Sequence, residues 1–253
     1  MKDRKKVIEV KNLRVGYGDY TVLEKLNFDV YQNEIFVILG GSGCGKSSTL
    51  KHLIGLYDTD QGDILIQGES IVKASEEDKN IMTHRFGVLY QSGALFSSMS
   101  IAENVAFPLK EFTDYPDEVI HAIVETKLSL VGLEKFANFT PSEISGGMKK
   151  RAGLARAMAL DPEILFFDEP SAGLDPISSA ELDKLILTLR DSLGTTMVIV
   201  THELDSIFSI ADRVIILDKE IKGIAEHGDP RLLKERSHIK WVRDFLNRLS
   251  MRG

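Results

Sequence analysis

A chain of 253 residues can bury a full core, as one large domain or a domain with a subdomain. With 43% apolar and 27% charged residues it is not a disordered protein, and a net charge of −7 argues against nucleic acid as a partner. A lone cysteine, Cys44, permits no internal disulfide, and no apolar run approaches the roughly 18 residues of a spanning helix, so a cytosolic protein reaching any membrane through a partner is expected.

Residues 7–31 alternate as short strands around the turn "GYGDY", an antiparallel β start. "EIFVILG" (34–40) is a compact buried strand that runs into a glycine loop, after which "KSSTLKHLIGL" takes helical spacing. "DILIQGES" and "FGVLYQ" read as further strands. From about Ser92 to Leu160 the pattern is mainly helical, with "SIAE" (100–103) as a capping box and an amphipathic stripe expected at Val119, Ile123 and Leu130. Strands return as "ILFFD" (164–168), "TMVIVTH" (196–202) and "RVIILD" (213–218), alternating with helical segments. Strands apolar along their length, alternating with helices, predict an α/β protein with a mostly parallel core sheet and an inserted helical subdomain.

"GGSGCGKS" fits G-x-x-x-x-G-K-[ST] over Gly40, Gly41, Ser42, Gly43, Cys44, Gly45, Lys46 and Ser47, between a strand and a helix. Glycines let the backbone wrap so that successive N–H groups aim at phosphate oxygens. Lys46 would reach the β and γ phosphates, Ser47 would ligate Mg²⁺, and Ser48 offers another donor to the α phosphate. Cys44 is either a small filler of the loop or, with N–H groups and Lys46 beside it, a thiol of lowered pKa and raised reactivity.

"ILFFDEP" closes a buried strand on two acids, which a turn at Pro170 can aim at the phosphates. Asp168 suits the metal, while Glu169 suits the polarisation of attacking water; the alternative is a pair of acids that merely cap the next helix. His202 and Gln91 end strands at the same C-terminal sheet edge, where open α/β sheets bind ligands. His202 fits a γ-phosphate contact, and Gln91 could reach Mg²⁺ or the water. "ISGGMKKRAGLARAMAL" (144–160) opens a helix on Ser145, which can cap it, and on Gly146 and Gly147, which leave N–H groups bare. Lys149, Lys150 and Arg151 then stand at the positive end of the helix dipole, an arrangement that calls for an anion in front of it.

Together these residues resemble the nucleotide-binding domains of ABC transporters, over nearly the whole chain and in that family's motif order. "GGSGCGKS" is similar to its phosphate loop, Gln91 to its Q-loop, "ISGGM" to its signature, "ILFFDE" to its metal and base strand, "SAGLD" to its D-loop and His202 to its switch histidine. The resemblance implies a P-loop NTPase fold, ATP and Mg²⁺ as cofactors, and one domain over 1–253 with a helical subdomain at about 92–160 and a helical tail at about 229–253. It also implies an ATP-dependent head-to-tail homodimer. Ser145 and Gly147 would contact the γ phosphate held by the partner copy, the cations behind them would complete that half-site, Asp175 would run along the interface, and Tyr17 would stack on adenine. Met148 stands where the family usually has glutamine.

"LYQSGALFSSMSIAENVAFPL" (89–109) and the stretch from Ser145 to Pro176 further resemble the ATPase of bacterial Mla/MCE-type phospholipid transport systems. That resemblance implies permease subunits and an MCE-domain lipid-binding protein as partners, at the cytoplasmic side of the inner membrane. Leu95, Phe96 and Met99 would either receive a permease helix or pack inside the helical subdomain. In the tail, Trp241, Phe245 and Leu249 fall at i, i+4 and i+8, an apolar stripe expected to pack on its own domain or the dimer partner. An ABC-type ATPase of a soluble assembly, such as one that builds iron–sulfur clusters, would carry the same catalytic motifs.

Overall fold

The computed structural model describes residues 4–248. Two strands, β1 (Lys6–Tyr17) and β2 (Tyr20–Tyr31), pair antiparallel, and Gly18 turns between them at φ 50°. With β4 (Asp63–Ile66) and β5 (Glu69–Ser70) they form a four-stranded sheet ordered β2-β1-β4-β5.

The second sheet has the order β10-β9-β3-β8-β7-β6. Its strands β3 (Ile35–Gly40), β6 (Phe86–Leu89), β7 (Ile164–Asp168), β8 (Thr196–Val200) and β9 (Arg213–Asp218) are all parallel, and β10 (Gly223–Gly228) closes one edge antiparallel to β9. Strand periodicity divides the core in two. Ile35, Val37 and Leu39 of β3, with Leu165 and Phe167 of β7, face one apolar cluster; Phe36, Ile38, Ile164 and Phe166 face the other. Residues buried on both faces explain why these strands read as unbroken apolar runs.

Helices α1 (Lys46–Leu53) and α2 (Glu76–Thr83) belong to the first half, and α3 (Ile101–Phe112), α4 (Asp117–Leu130) and α5 (Gly146–Ala157) occupy the expected helical insertion. The box at α3 forms as read, with Ser100 and Glu103 each bonded to the other's backbone N–H. The stripe of α4 forms only in part: Ile123 packs half-buried on the core, but Val119 and Leu130 are exposed, and the buried face runs through Ile120, Val124, Leu128 and Lys127, which turns inward to pair with Asp161.

After α6 (Pro176–Leu193) and α7 (Leu204–Ile210), the chain ends in α8 (Pro230–Arg236) and α9 (Lys240–Leu246). Helix α9 packs on its own domain, but Val242 and Leu246 are its buried residues; Trp241 and Phe245 are half-buried at the cluster's rim, and Leu249 lies outside the described residues. The 92–99 segment is held by Asn104, fully buried, whose side-chain oxygen accepts from Phe96 N (2.7 Å) while its amide donates to Phe96 O (3.1 Å) and Ser100 O (2.9 Å). Phe96 stays exposed and Leu95 packs on the core, so this segment divides between the two expected roles.

Candidate nucleotide site

Between β3 and α1 the glycine loop folds over the end of the parallel sheet. Gly45 takes φ 99°, where a Cβ would also stand 2.9 Å from Leu23 and Val22, so this turn requires glycine. Lys46 Nζ donates to Gly40 O (2.9 Å) and Gly41 O (3.1 Å), across the mouth of the loop. A cavity of about 750 Å³ opens there, lined by Gly40–Gly43, Gly45–Ser48, Tyr17, Gln91, Glu169 and His202.

Residues far apart in sequence converge on it. Ser47 Oγ donates to Asp168 Oδ1 at 2.9 Å. Glu169 turns its side chain by adopting φ 49°, its N–H bonded to Val200 O at 2.8 Å, so the turn starts at the glutamate itself and not at Pro170. His202 Nδ1 lies 2.9 Å from both Glu169 carboxylate oxygens. Gln91 and His202 each sit two residues beyond their strands, which stop at Leu89 and Val200, not at the strand ends the sequence suggested. The chain has left the ladder there, and this lets both side chains reach the cavity.

The donor set fits Mg²⁺. Ser47 and Asp168 present two hard oxygen ligands side by side and Gln91 lines the same space, while no cluster of three His, Cys, Asp or Glu side chains suited to a metal stands among the described residues. Mg²⁺ takes few protein ligands and completes its shell with phosphate and water.

The reactive reading of Cys44 is overturned. The thiol is 2% exposed and burial pushes its pKa up, against the downward pull of Lys46. Its Sγ fills the space where a Cβ on Gly40 would stand, so Cys44 is the small filler.

Tyr17 is half exposed at the cavity mouth, with its hydroxyl 2.5 Å from Ser48 Oγ and its ring edge-on to Tyr57. Ser145 caps α5 as read, accepting from Met148 N at 3.2 Å. Ser145, Gly146, Gly147 and Asp175 do not line the cavity of their own chain. Asp175 caps α6, accepting from Ile177 N and Ser178 N at 3.0 Å each and from Ser178 Oγ at 2.6 Å; these bonds from Ser178 hold its pKa down.

The three cations behind Ser145 do not act as one positive cluster. Lys150 is buried and turned back into its own domain, where Nζ donates to Gln91 O and to Glu169 O (3.2 Å), and Arg151 pairs with Glu181 at 2.6 Å. Lys150 is a site residue that the sequence reading missed as such; its signal was a lysine on the same helical face as Gly153 and Leu154. Phe245 is another, since α9 brings it to the cavity wall.

A second, apolar groove of about 570 Å³ lies behind the Gln91 segment, lined by Leu56, Tyr90, Phe96, Phe107, Phe112 and Arg156 among others. Leu56, Phe96 and Phe112 are each at least 42% exposed, a large apolar surface for a soluble face.

The ABC transporter family model matches residues 23–172. The intermembrane phospholipid transport system ATP-binding protein MlaF of Haemophilus influenzae is 43% identical over 90% of this chain and 86% of its own, and that of Escherichia coli K12 is 39% identical over 95% and 88%. A probable ribonucleotide transport ATP-binding protein of Mycobacterium leprae is 43% identical over 95% of this chain and 68% of its own. Among solved structures, cbiO1 of Clostridium perfringens, part of an ABC transporter complex, superposes with a TM-score of 0.84 at 28% identity, covering 96% of each chain. A dimeric ATP-binding cassette in a post-hydrolysis state, bound to ADP and Pi, superposes at 0.79 with 26% identity over 88% of this chain and 98% of that one. With a phosphate loop, paired acids and a histidine gathered on one sheet edge, the chain belongs to the ABC transporter family, as one of its ATP-hydrolysing subunits.

Proposed function

We propose that this chain drives phospholipid transport as the cytoplasmic ATPase of a permease in the inner membrane. The observation that carries the chemistry is the convergence of the Ser47–Asp168 and Glu169–His202 pairs on one cavity. Similarity to the MlaF proteins over most of both chains supports phospholipid as cargo, ahead of the soluble-assembly alternative.

In this reading the N–H groups of Gly41–Ser48 and Lys46 grip the phosphates of ATP, Tyr17 swings onto adenine, and Ser47, Asp168 and Gln91 hold Mg²⁺. The ion would neutralise charge on the β and γ phosphates. Glu169 takes the proton of the attacking water, and His202 holds the carboxylate in place while reaching the γ phosphate. Ser145 and Gly147 of a second copy close the site from the front, and Asp175 lies between the two sites. The bare N–H groups at the start of α5 suit that anion. Closure of two copies moves permease subunits seated in the apolar groove, with an MCE-domain protein in the same assembly. The whole chain acts as one nucleotide-binding domain, with a helical subdomain near 92–160 and a helical tail from about 229. No helix among the described residues is long and apolar enough to cross a membrane; in this reading contact with the bilayer runs through those subunits.

A tagged Glu169→Gln form, captured from gently solubilised membranes with ATP, tests this. Loss of a general base lowers turnover by about 10²–10⁴-fold, and the slowed form holds the closed assembly. Polytopic membrane proteins and phospholipid in the captured material are expected. Wild-type turnover would refute the role of Glu169, and capture of a soluble scaffold, or of a permease that carries nucleotides, would overturn the phospholipid reading.

A further inference from the structure

Lys150 is 5% exposed, and among the described residues it forms no ion pair. Its Nζ instead reaches two main-chain carbonyls from separate turns, Gln91 O beyond β6 and Glu169 O beyond β7. Both turns carry side chains that line the nucleotide cavity. An ammonium group has three donors and no acceptor, so one lysine can hold two carbonyls at once. Burial holds the Lys150 pKa below its ordinary value, and the carboxylates of Glu169 and Asp168 offset only part of this.

The rest of α5 follows the same seam. Arg156 donates to Gly93 O (3.0 Å) and Ala94 O (2.8 Å), and a Cβ on Gly153 would meet Gly93 O at 2.9 Å. Arg156 and Ala94 also line the apolar groove. One helix thus carries Ser145 at its start, the Gln91 segment along its side and, through Lys150, the Glu169 turn.

We propose that Lys150 is a positioning residue for ATP hydrolysis, locking the Gln91 segment and the Glu169 turn to the helix that presents Ser145 and Gly147. Any displacement of α5, from its N-terminus or from the groove, then moves the carboxylate that activates water. Lys150 itself touches no substrate. The proposal rests on Glu169 as the base.

The test uses the full chain with Lys150→Met, which keeps the bulk and removes the donors, and Lys150→Gln, which keeps shorter N–H donors. Each is made alone and with Glu169→Gln, and steady-state ATP hydrolysis is measured. Lys150→Met is expected to lower kcat at least about tenfold with KM for ATP within about threefold, because misplacement of a base costs rate more than binding. Lys150→Gln should recover part of that loss. In the Glu169→Gln background the methionine variant should cost less than about twofold more, as expected of residues acting as one unit. Folded variants with wild-type kcat, or losses that multiply in the double variant, would overturn the proposal. So would failure of both variants to fold, which would leave Lys150 a purely structural role. Wild-type turnover by Glu169→Gln alone would instead sink the assignment of the base.

Discussion

Gly87, in the middle of β6, tests how closely α5 is seated on the sheet. A Cβ at this position would stand 2.0 Å from Ala157 O, 2.8 Å from Ala157 C and 2.9 Å from a Leu165 methyl carbon. Two of the three obstacles are helix backbone at the last turn of α5, which cannot swing aside as a side-chain tip can. Overpacking of this kind costs about 1–3 kcal/mol, and a backbone obstacle puts Gly87→Ala at the upper end. Replacing glycine in a strand returns about 0.5–1 kcal/mol of chain entropy, for a net loss of about 2 kcal/mol. In a chain of this size that lowers Tm by about 4–8 °C, read by thermal unfolding of the purified protein. Because β6 leads to Gln91 two residues beyond its end, ATP hydrolysis should fall as well. A Gly87→Ala protein with Tm within about 1 °C of wild type would refute the reasoning, since it would mean that α5 yields without cost.

With the hydroxyl proposed to serve the metal and not the phosphate, Ser47→Ala should weaken ATP binding about tenfold in the presence of Mg²⁺ and leave it within about twofold in EDTA, measured by titration calorimetry. Cys44 should resist a thiol reagent in the folded protein with or without ATP and react at once on unfolding; labelling of native protein at the rate of a free thiol would contradict its burial. His52, 2% exposed with Nδ1 2.8 Å from Ser48 O, has its pKa lowered by burial. The unfolded chain therefore binds the proton more readily, so this contribution is intact above the unfolded value of about 6.5 and is lost as pH falls through it. His52→Gln should flatten the decline of urea-unfolding stability between pH 7 and 5, and an unchanged slope would remove the assignment.

What could be read from the sequence was what is local. The phosphate loop needs eight consecutive residues between a strand and a helix, and it folds where "GGSGCGKS" stands. The unbroken apolar strands gave the parallel sheet for the same reason, since burial on both faces is written into each residue. Inward-facing lysines were not legible. Periodicity treats Lys127 and Lys150 as solvent-facing, and the acceptors that draw them inside, Asp161 and the carbonyls of Gln91 and Glu169, are supplied by tertiary structure. The stripe of α4 was placed only in part, since its buried face runs through Lys127. The positions of Gln91 and His202 beyond their strands, and of Phe245 against the cavity, likewise depend on where distant segments meet.

Glu169 holds a left-handed backbone that side chains other than glycine and asparagine seldom adopt. That conformation costs an L-residue about 1–2 kcal/mol, against up to about 1 kcal/mol of chain entropy lost on changing to glycine. Folding alone therefore exerts no pressure to retain a carboxylate at this turn. Selection for heat tolerance without a demand for turnover would drift towards an inert protein that melts no earlier, and a screen of variants of this chain would need to score hydrolysis and melting together.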